Sequence, residues 1–252
     1  MTRTADRGRL NWHLARVTAL VDETPRIRTI ELEVPVWPGH LPGQHIDVRL
    51  TSPDGYQAQR SYSIATPWDG SRLAITVERI DDGEVSPYLA GELRLGDELE
   101  LRGPIGGYFV WDPSRGGPLL LAAGGSGIAP LMAMLRDRVA KRSWVAVRLL
   151  VSSRSWEDIV YRPELEGFAR DEMGIQVVHA LTRSQPPGWT GYDRRVDPAM
   201  LAEVAWPPND RPLCYVCGPT GFVEAVASGL VELGHDPAMV RTERFGPTGG
   251  SQ

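Results

Sequence analysis

Leu119-Leu120-Leu121-Ala122-Ala123-Gly124-Gly125-Ser126-Gly127-Ile128-Ala129-Pro130 sets an apolar run, a glycine loop and a helix start in unbroken succession. The run has the length of a parallel strand covered on both faces. The glycines let backbone amides approach a phosphate, and Pro130 suits a first helical turn, where its missing N–H costs little. The pattern predicts a nucleotide-diphosphate loop on Gly125, Ser126 and Gly127. Such a unit normally opens its domain, yet here more than a hundred residues precede it. Two domains are expected, residues 1–113 and 114–252, divided at the turn-rich stretch Asp112-Pro113-Ser114-Arg115-Gly116-Gly117.

Upstream of that boundary, short and partly alternating apolar segments at 14–21, 26–34, 45–50, 61–64, 73–77 and 98–101 are separated by turn residues. This spacing predicts an all-β barrel or sandwich. One short helix interrupts it at Ser86-Pro87-Tyr88-Leu89-Ala90-Gly91, with Ser86 as its cap, Pro87 at its first position and Gly91 at its end. Downstream, strands at 119–123, 145–151, 176–181 and 213–217 alternate with helices at 130–140, 162–170, 198–204 and 221–233. That alternation belongs to a parallel sheet with crossover helices. No internal repeat is present, and the only low-complexity tract is the glycine-rich end, 246–252.

The formal net charge of -5 disfavours nucleic acid or an anionic membrane as the main partner. The segment Met1-Thr2-Arg3-Thr4-Ala5-Asp6-Arg7 lacks the apolar core of a signal sequence, and no apolar run nears the ~20 residues of a membrane span. A cytoplasmic, monomeric protein is the expectation. The two cysteines, Cys214 and Cys217, lie three apart on a predicted strand, so their side chains point to opposite faces. A disulfide, a shared metal or a four-cysteine iron–sulfur cluster is therefore not expected within this chain.

Binding chemistry is suggested at several strand ends. The second parallel strand ends at Ser152-Ser153-Arg154, without the acidic residue that often receives ribose hydroxyls, and the third at Thr182-Arg183. A hydroxyl beside a guanidinium suits a phosphate monoester, which favours NADPH over NADH, with solvated loop arginines as the alternative. In the β-domain, strand alternation puts Arg60 and Tyr62 on one face and Ser61 and Ser63 on the other. Gly83-Glu84-Val85-Ser86-Pro87 joins a turn to a helix start whose free amides suit a second diphosphate. Cys217-Gly218-Pro219 closes a strand at its carboxyl end, where ligands of open α/β sheets bind. The loop at Gly125-x-Gly127 departs from G-x-G-x-x-G, because Pro130 stands where a third glycine would. A run of Arg136, Arg138, Lys141 and Arg142 reads as a solvated helix face, with a docking patch as the alternative.

Taken together these segments resemble the ferredoxin–NADP reductase superfamily, and the resemblance covers nearly the whole chain. Arg60-Ser61-Tyr62-Ser63 is similar to its flavin motif, Gly83 to Ser86 to its pyrophosphate loop, and Gly103-Pro104-Ile105-Gly106 to a turn of the family. The resemblance implies a six-stranded antiparallel FAD barrel followed by a Rossmann-like five-stranded parallel NADP domain. It implies that Arg60 and the Gly83, Val85 and Ser86 loop meet the FAD pyrophosphate, with Ser61 beside them. Tyr62 would pack on the ring and Ser63 would lie near flavin N5. Thr182 and Arg183 match a 2′-phosphate site, beside which the strand-end reading sets Arg154, and Cys217, Gly218 and Pro219 match a nicotinamide site. The family's Glu-x-aromatic ending is matched by Glu243-Arg244-Phe245, with seven residues following. Ser63, Cys217 and Glu243 are thus the candidate catalytic residues. The implied activity is hydride transfer from NADPH to FAD, with electrons passed singly to a separate redox protein such as a ferredoxin, an oxygenase or a cytochrome P450. A small-molecule acceptor (a ferric chelate, quinone or free flavin) and a non-autonomous subunit of a larger complex are the rival readings.

Overall fold

A computed structural model describes residues 11–170 and 174–246. The Met1 to Arg7 segment and most of the glycine-rich end lie outside these. Six antiparallel strands come first: β1 (Trp12–Thr24), β2 (Ile27–Glu33), β3 (His45–Thr51), β4 (Gln57–Ser63), β5 (Arg72–Glu78) and β6 (Glu98–Ile105). They pair in the order β4-β3-β6-β1-β2-β5. The two edges meet just beyond β4, where Ile64 bridges Ile75 and the Ala65 N–H donates to the Ala74 carbonyl at 2.8 Å, closing a barrel. All six predicted strand segments are found. The interior is filled by alternate apolar residues, among them Ile30, Leu32, Ile46, Val48, Ile75 and Leu101.

The short helix is present but built differently from its expectation. It runs through Ser86 and Pro87 into a wide turn at Tyr88–Glu92, and the Leu93 N–H reaches back to the Tyr88 carbonyl at 3.0 Å. Ser86 does not cap it. Its Oγ accepts from the Ile80 N–H at 3.1 Å, tying the helix start back to the segment just past β5, and Gly91 lies inside the turn. The helix exists because Val85, Leu89 and Leu93 are buried in the barrel core, which compensates for its short length.

The remainder alternates: β7 (Leu119–Gly124), α1 (Ile128–Ala140), β8 (Val147–Ser153), α2 (Arg162–Arg170), β9 (Ile175–Leu181), α3 (Pro198–Val204), β10 (Leu213–Pro219), α4 (Thr220–Glu232) and β11 (Val240–Phe245). The five strands are parallel in the order β11-β10-β7-β8-β9. The apolar run opening the nucleotide loop is the central strand, and every one of its residues is buried. Leu119, Leu121 and Ala123 enter the core shared with α1 and α2, whereas Leu120 and Ala122 enter the core under α3 and α4. Two-sided burial is why the run is apolar without alternation. Strand β8 begins two residues later than expected.

Cys214 and Cys217 are free thiols in those two separate cores, as strand alternation requires. Burial pushes the Cys214 thiol up to about 12. The basic run is corrected in part: Arg136 and Arg138 on α1 turn inward, whereas Lys141 and Arg142, just past its end, are exposed as a solvated face would be. Arg136 donates to both carboxylate oxygens of Glu164, at 2.9 and 2.5 Å, and to the barrel's Ala65 carbonyl at 2.7 Å. Arg138 is fully buried and donates to the Val145 carbonyl at 2.6 Å, while Lys141 pairs with Asp112 and Asp137. The helix lies between sheet and barrel, so its cations have structural partners. Among the described residues, no helix is long and apolar enough to cross a membrane.

Candidate active site at the domain interface

The two domains are pinned together by polar contacts that flank an apolar seam. Ile27, Ala65, Phe109 and Trp111 join the α/β core, and Tyr161, 4% exposed, reaches the barrel, where its hydroxyl bonds Thr76. The Tyr161 N–H donates to Glu23 at 3.1 Å, and the Tyr215 hydroxyl to the Val110 carbonyl at 2.8 Å. This seam holds fixed a cleft of about 500 Å³ to which both domains contribute.

From the barrel come all four residues of Arg60-Ser61-Tyr62-Ser63, at the end of β4, and Gly83, Val85 and Ser86. From the sheet come Ser126, Gly127, Cys217 and Phe245. Alternation along β4 holds: Tyr62 faces Ile46 of β3 and packs against the barrel core, whereas Ser61 and Ser63 pair with Asp47 and His45. Ser61 donates to Asp47 at 2.6 Å, and Asp47 is also held by Arg102 at 2.7 Å. Burial pushes the Tyr62 phenol well above its usual range, which keeps it neutral.

Behind the cleft-lining Ser63, its Oγ donates to Glu243 Oε2 at 3.4 Å and His45 Nδ1 lies 3.9 Å from Glu243 Oε1. Register in the parallel sheet sets Cys217 opposite Glu243. Burial drives the Glu243 carboxyl up to about 7, with the Ser63 hydrogen bond opposing. The Cys217 thiol is raised further, first by burial and then by the Glu243 charge. Burial lowers His45, against a smaller opposite effect of Asp47.

The glycine loop is built for close approach. A Cβ on Gly127 would stand 2.3 Å from the Cys217 carbonyl oxygen, so only glycine lets the loop cross β10 there. Gly125 has φ +55°, and Pro130 lies in the first turn of α1. Beside this loop is a second pocket of about 190 Å³, lined by Gly124, Gly125, Ser153, Arg154, Thr182 and Pro219, among others. Thr182 and Arg183 are held to the end of β8, their N–H groups donating to the Ser153 and Arg154 carbonyls at 2.9 and 2.8 Å. Arg183 is exposed beside the pocket. Glu78 borders both the pocket and the cleft, and its Oε2 accepts from Ser126 Oγ at 2.8 Å.

The segments singled out in the sequence converge on this cleft and the pocket beside it, but sequence reasoning missed His45, Glu78 and the pairing of Glu84 with Arg60, 2.5 Å apart. Each depends on a cross-strand or interdomain neighbour that no local spacing encodes.

Residues 16–110 match the family model of an oxidoreductase FAD-binding domain, and residues 121–228 that of an oxidoreductase NAD-binding domain. The chain is 32% identical over 256 residues to the glycine betaine monooxygenase reductase subunit of Pseudomonas aeruginosa, covering 98% of this chain and 67% of that protein. It is 34% identical over 240 residues to ferredoxin–NADP reductase B of Sorangium cellulosum, covering 92% of this chain and 96% of that protein. The solved FAD/NAD-binding domain of the Vibrio cholerae nitric oxide dioxygenase is similar with a TM-score of 0.84 at 25% identity, over 93% of this chain and 99% of that one.

Proposed function

The chain belongs to the ferredoxin–NADP reductase family of FAD- and pyridine-nucleotide-dependent oxidoreductases, and on that premise we propose that it takes a hydride from NADPH onto FAD and passes the electrons singly to a separate redox protein. The observation that carries this is the shared cleft. The flavin-motif residues of the barrel and Ser126, Gly127 and Cys217 of the sheet line one cavity, so two cofactors bound to the two domains would meet there.

The residues suit FAD. A neutral Tyr62 offers a flat wall for a ring, Arg60 a guanidinium for a diphosphate, and the Gly83, Val85 and Ser86 turn a backbone-lined approach to it. FAD, when bound, supplies the two-electron to one-electron conversion. The chain's own groups then position and titrate. Ser63 presents its hydroxyl where the flavin N5 is expected, Glu243 accepts the Ser63 hydrogen bond and itself takes up or releases a proton near neutrality, and Cys217, Gly218 and Pro219 form the nicotinamide wall. Phe245 borders the cleft beside them. Gly125, Ser126 and Gly127 take the nucleotide diphosphate, and Arg154, Thr182 and Arg183 its 2′-phosphate, which selects NADPH. We place the division of labour at residues 1–113 for FAD and 114–252 for the pyridine nucleotide. The acceptor is a redox protein, in keeping with the reductase-subunit relative.

An anaerobic absorbance titration tests the reading. A flavin band near ~450 nm should bleach at low NADPH and only at high NADH. A protein that takes up no FAD would overturn the proposal, and equal response to both nucleotides would remove the 2′-phosphate assignment.

A further inference from the structure

Glu84 has no part in the cofactor scheme above, yet it holds the one arginine that lines the cleft among the described residues. Arg60 Nη2 lies 2.5 Å from Glu84 Oε2, and Tyr56 donates its hydroxyl to the other carboxylate oxygen. Glu84 also stands where the cleft joins a neighbouring groove of about 570 Å³ walled in part by Tyr56 and Tyr88. Three carboxylates, Glu78, Asp82 and Glu84, border the cleft against that single guanidinium. Glu78 is engaged by Ser126, so Glu84 is the one that neutralises Arg60.

We propose that Glu84 is a built-in competitor for Arg60, so that FAD binds only when the guanidinium exchanges a carboxylate for the pyrophosphate, and FAD is consequently held exchangeably. This rests on the flavin reading of Arg60. The exchange is easy on physical grounds. The side chains are 52% and 44% exposed, so water screens their attraction and the pair is weak by itself. A diphosphate offers more charge and two acceptor oxygens to the same planar fork. The bonds from Tyr56 and Arg60 hold the Glu84 carboxyl below its usual range, so it is ionised and competing throughout the neutral region.

The test is FAD release from the purified full-length holoprotein on dilution, followed by recovery of free-flavin fluorescence. Glu84→Gln should lower the Kd for FAD about five-fold, and Glu84→Ala should act in the same direction. Arg60→Ala should raise the Kd about ten-fold or more, and on that background Glu84→Gln should gain less than two-fold. Melting temperatures check that the variants fold. An unchanged or weaker affinity in both Glu84 variants, with Arg60→Ala still impaired, overturns the competition. So does an undiminished gain on the Arg60→Ala background, which would signify plain repulsion. An Arg60→Ala protein that keeps full affinity overturns the flavin reading itself.

Discussion

Ser63, at the end of β4 in the barrel, and Glu243, on β11 of the parallel sheet, meet hydroxyl to carboxylate at 3.4 Å although 180 residues separate them. Neither domain contains the pair by itself. Its existence depends on the seam pinned by Tyr161, Arg136 and Tyr215, which makes the interface part of the candidate site rather than a tether.

If Ser63 orients the reacting ring, Ser63→Ala should keep its FAD and lose rate. Stopped-flow reduction by NADPH is expected to slow by about ten-fold or more. A wild-type rate would remove the assigned role.

Glu243 should link pH to both stability and turnover. Its carboxyl ionises near 4.5 when exposed and at about 7 when folded, so the folded state binds the proton more tightly. Its stabilising contribution is complete below about 4.5 and is lost as pH rises through 7, with a ceiling of ~3 kcal/mol. Glu243→Gln should therefore flatten the decline in denaturation midpoint over that window and remove an inflection near 7 from the reduction rate.

Nucleotide choice should reside in the arginines at the strand ends. Arg154→Ala is expected to raise the KM for NADPH about ten-fold and to leave that for NADH within about two-fold. Combining it with Arg183→Ala should bring the two nucleotides level, as measured by steady-state kinetics with ferricyanide as acceptor.

Gly127 has no room for a methyl group, because its Cβ would fall 2.3 Å from backbone oxygen. Gly127→Ala should cost about 1–3 kcal/mol in urea unfolding and weaken NADPH binding more than FAD binding, since β10 and the loop must separate. Unaltered nucleotide affinity would show that the loop does not approach the ligand closely.

Tyr161→Phe removes a buried hydroxyl from the Thr29 and Thr76 pair, leaving those groups short of a partner. A loss of about 1–2 kcal/mol is expected in equilibrium unfolding.

What the sequence determined by itself was local. The two-sided apolar run of β7, the alternation that separates Cys214 from Cys217 and sorts Tyr62 from Ser63, and the glycine loop ahead of α1 all follow from side-chain period and backbone freedom within a few residues. Tertiary structure decided the remainder. β11, with Arg241, Glu243 and Arg244 in six residues, is apolar only at its ends, Val240 and Phe245, and becomes a strand by pairing along β10. The α1 cations look solvated along the chain, yet Arg136 and Arg138 turn inward because the barrel and the β8 approach supply carbonyls and Glu164 of α2 a carboxylate. His45 faces Glu243, and Glu84 holds Arg60, through strand register and domain docking. Local periodicity specifies which face a residue takes, but only the packing of distant segments specifies what it meets there.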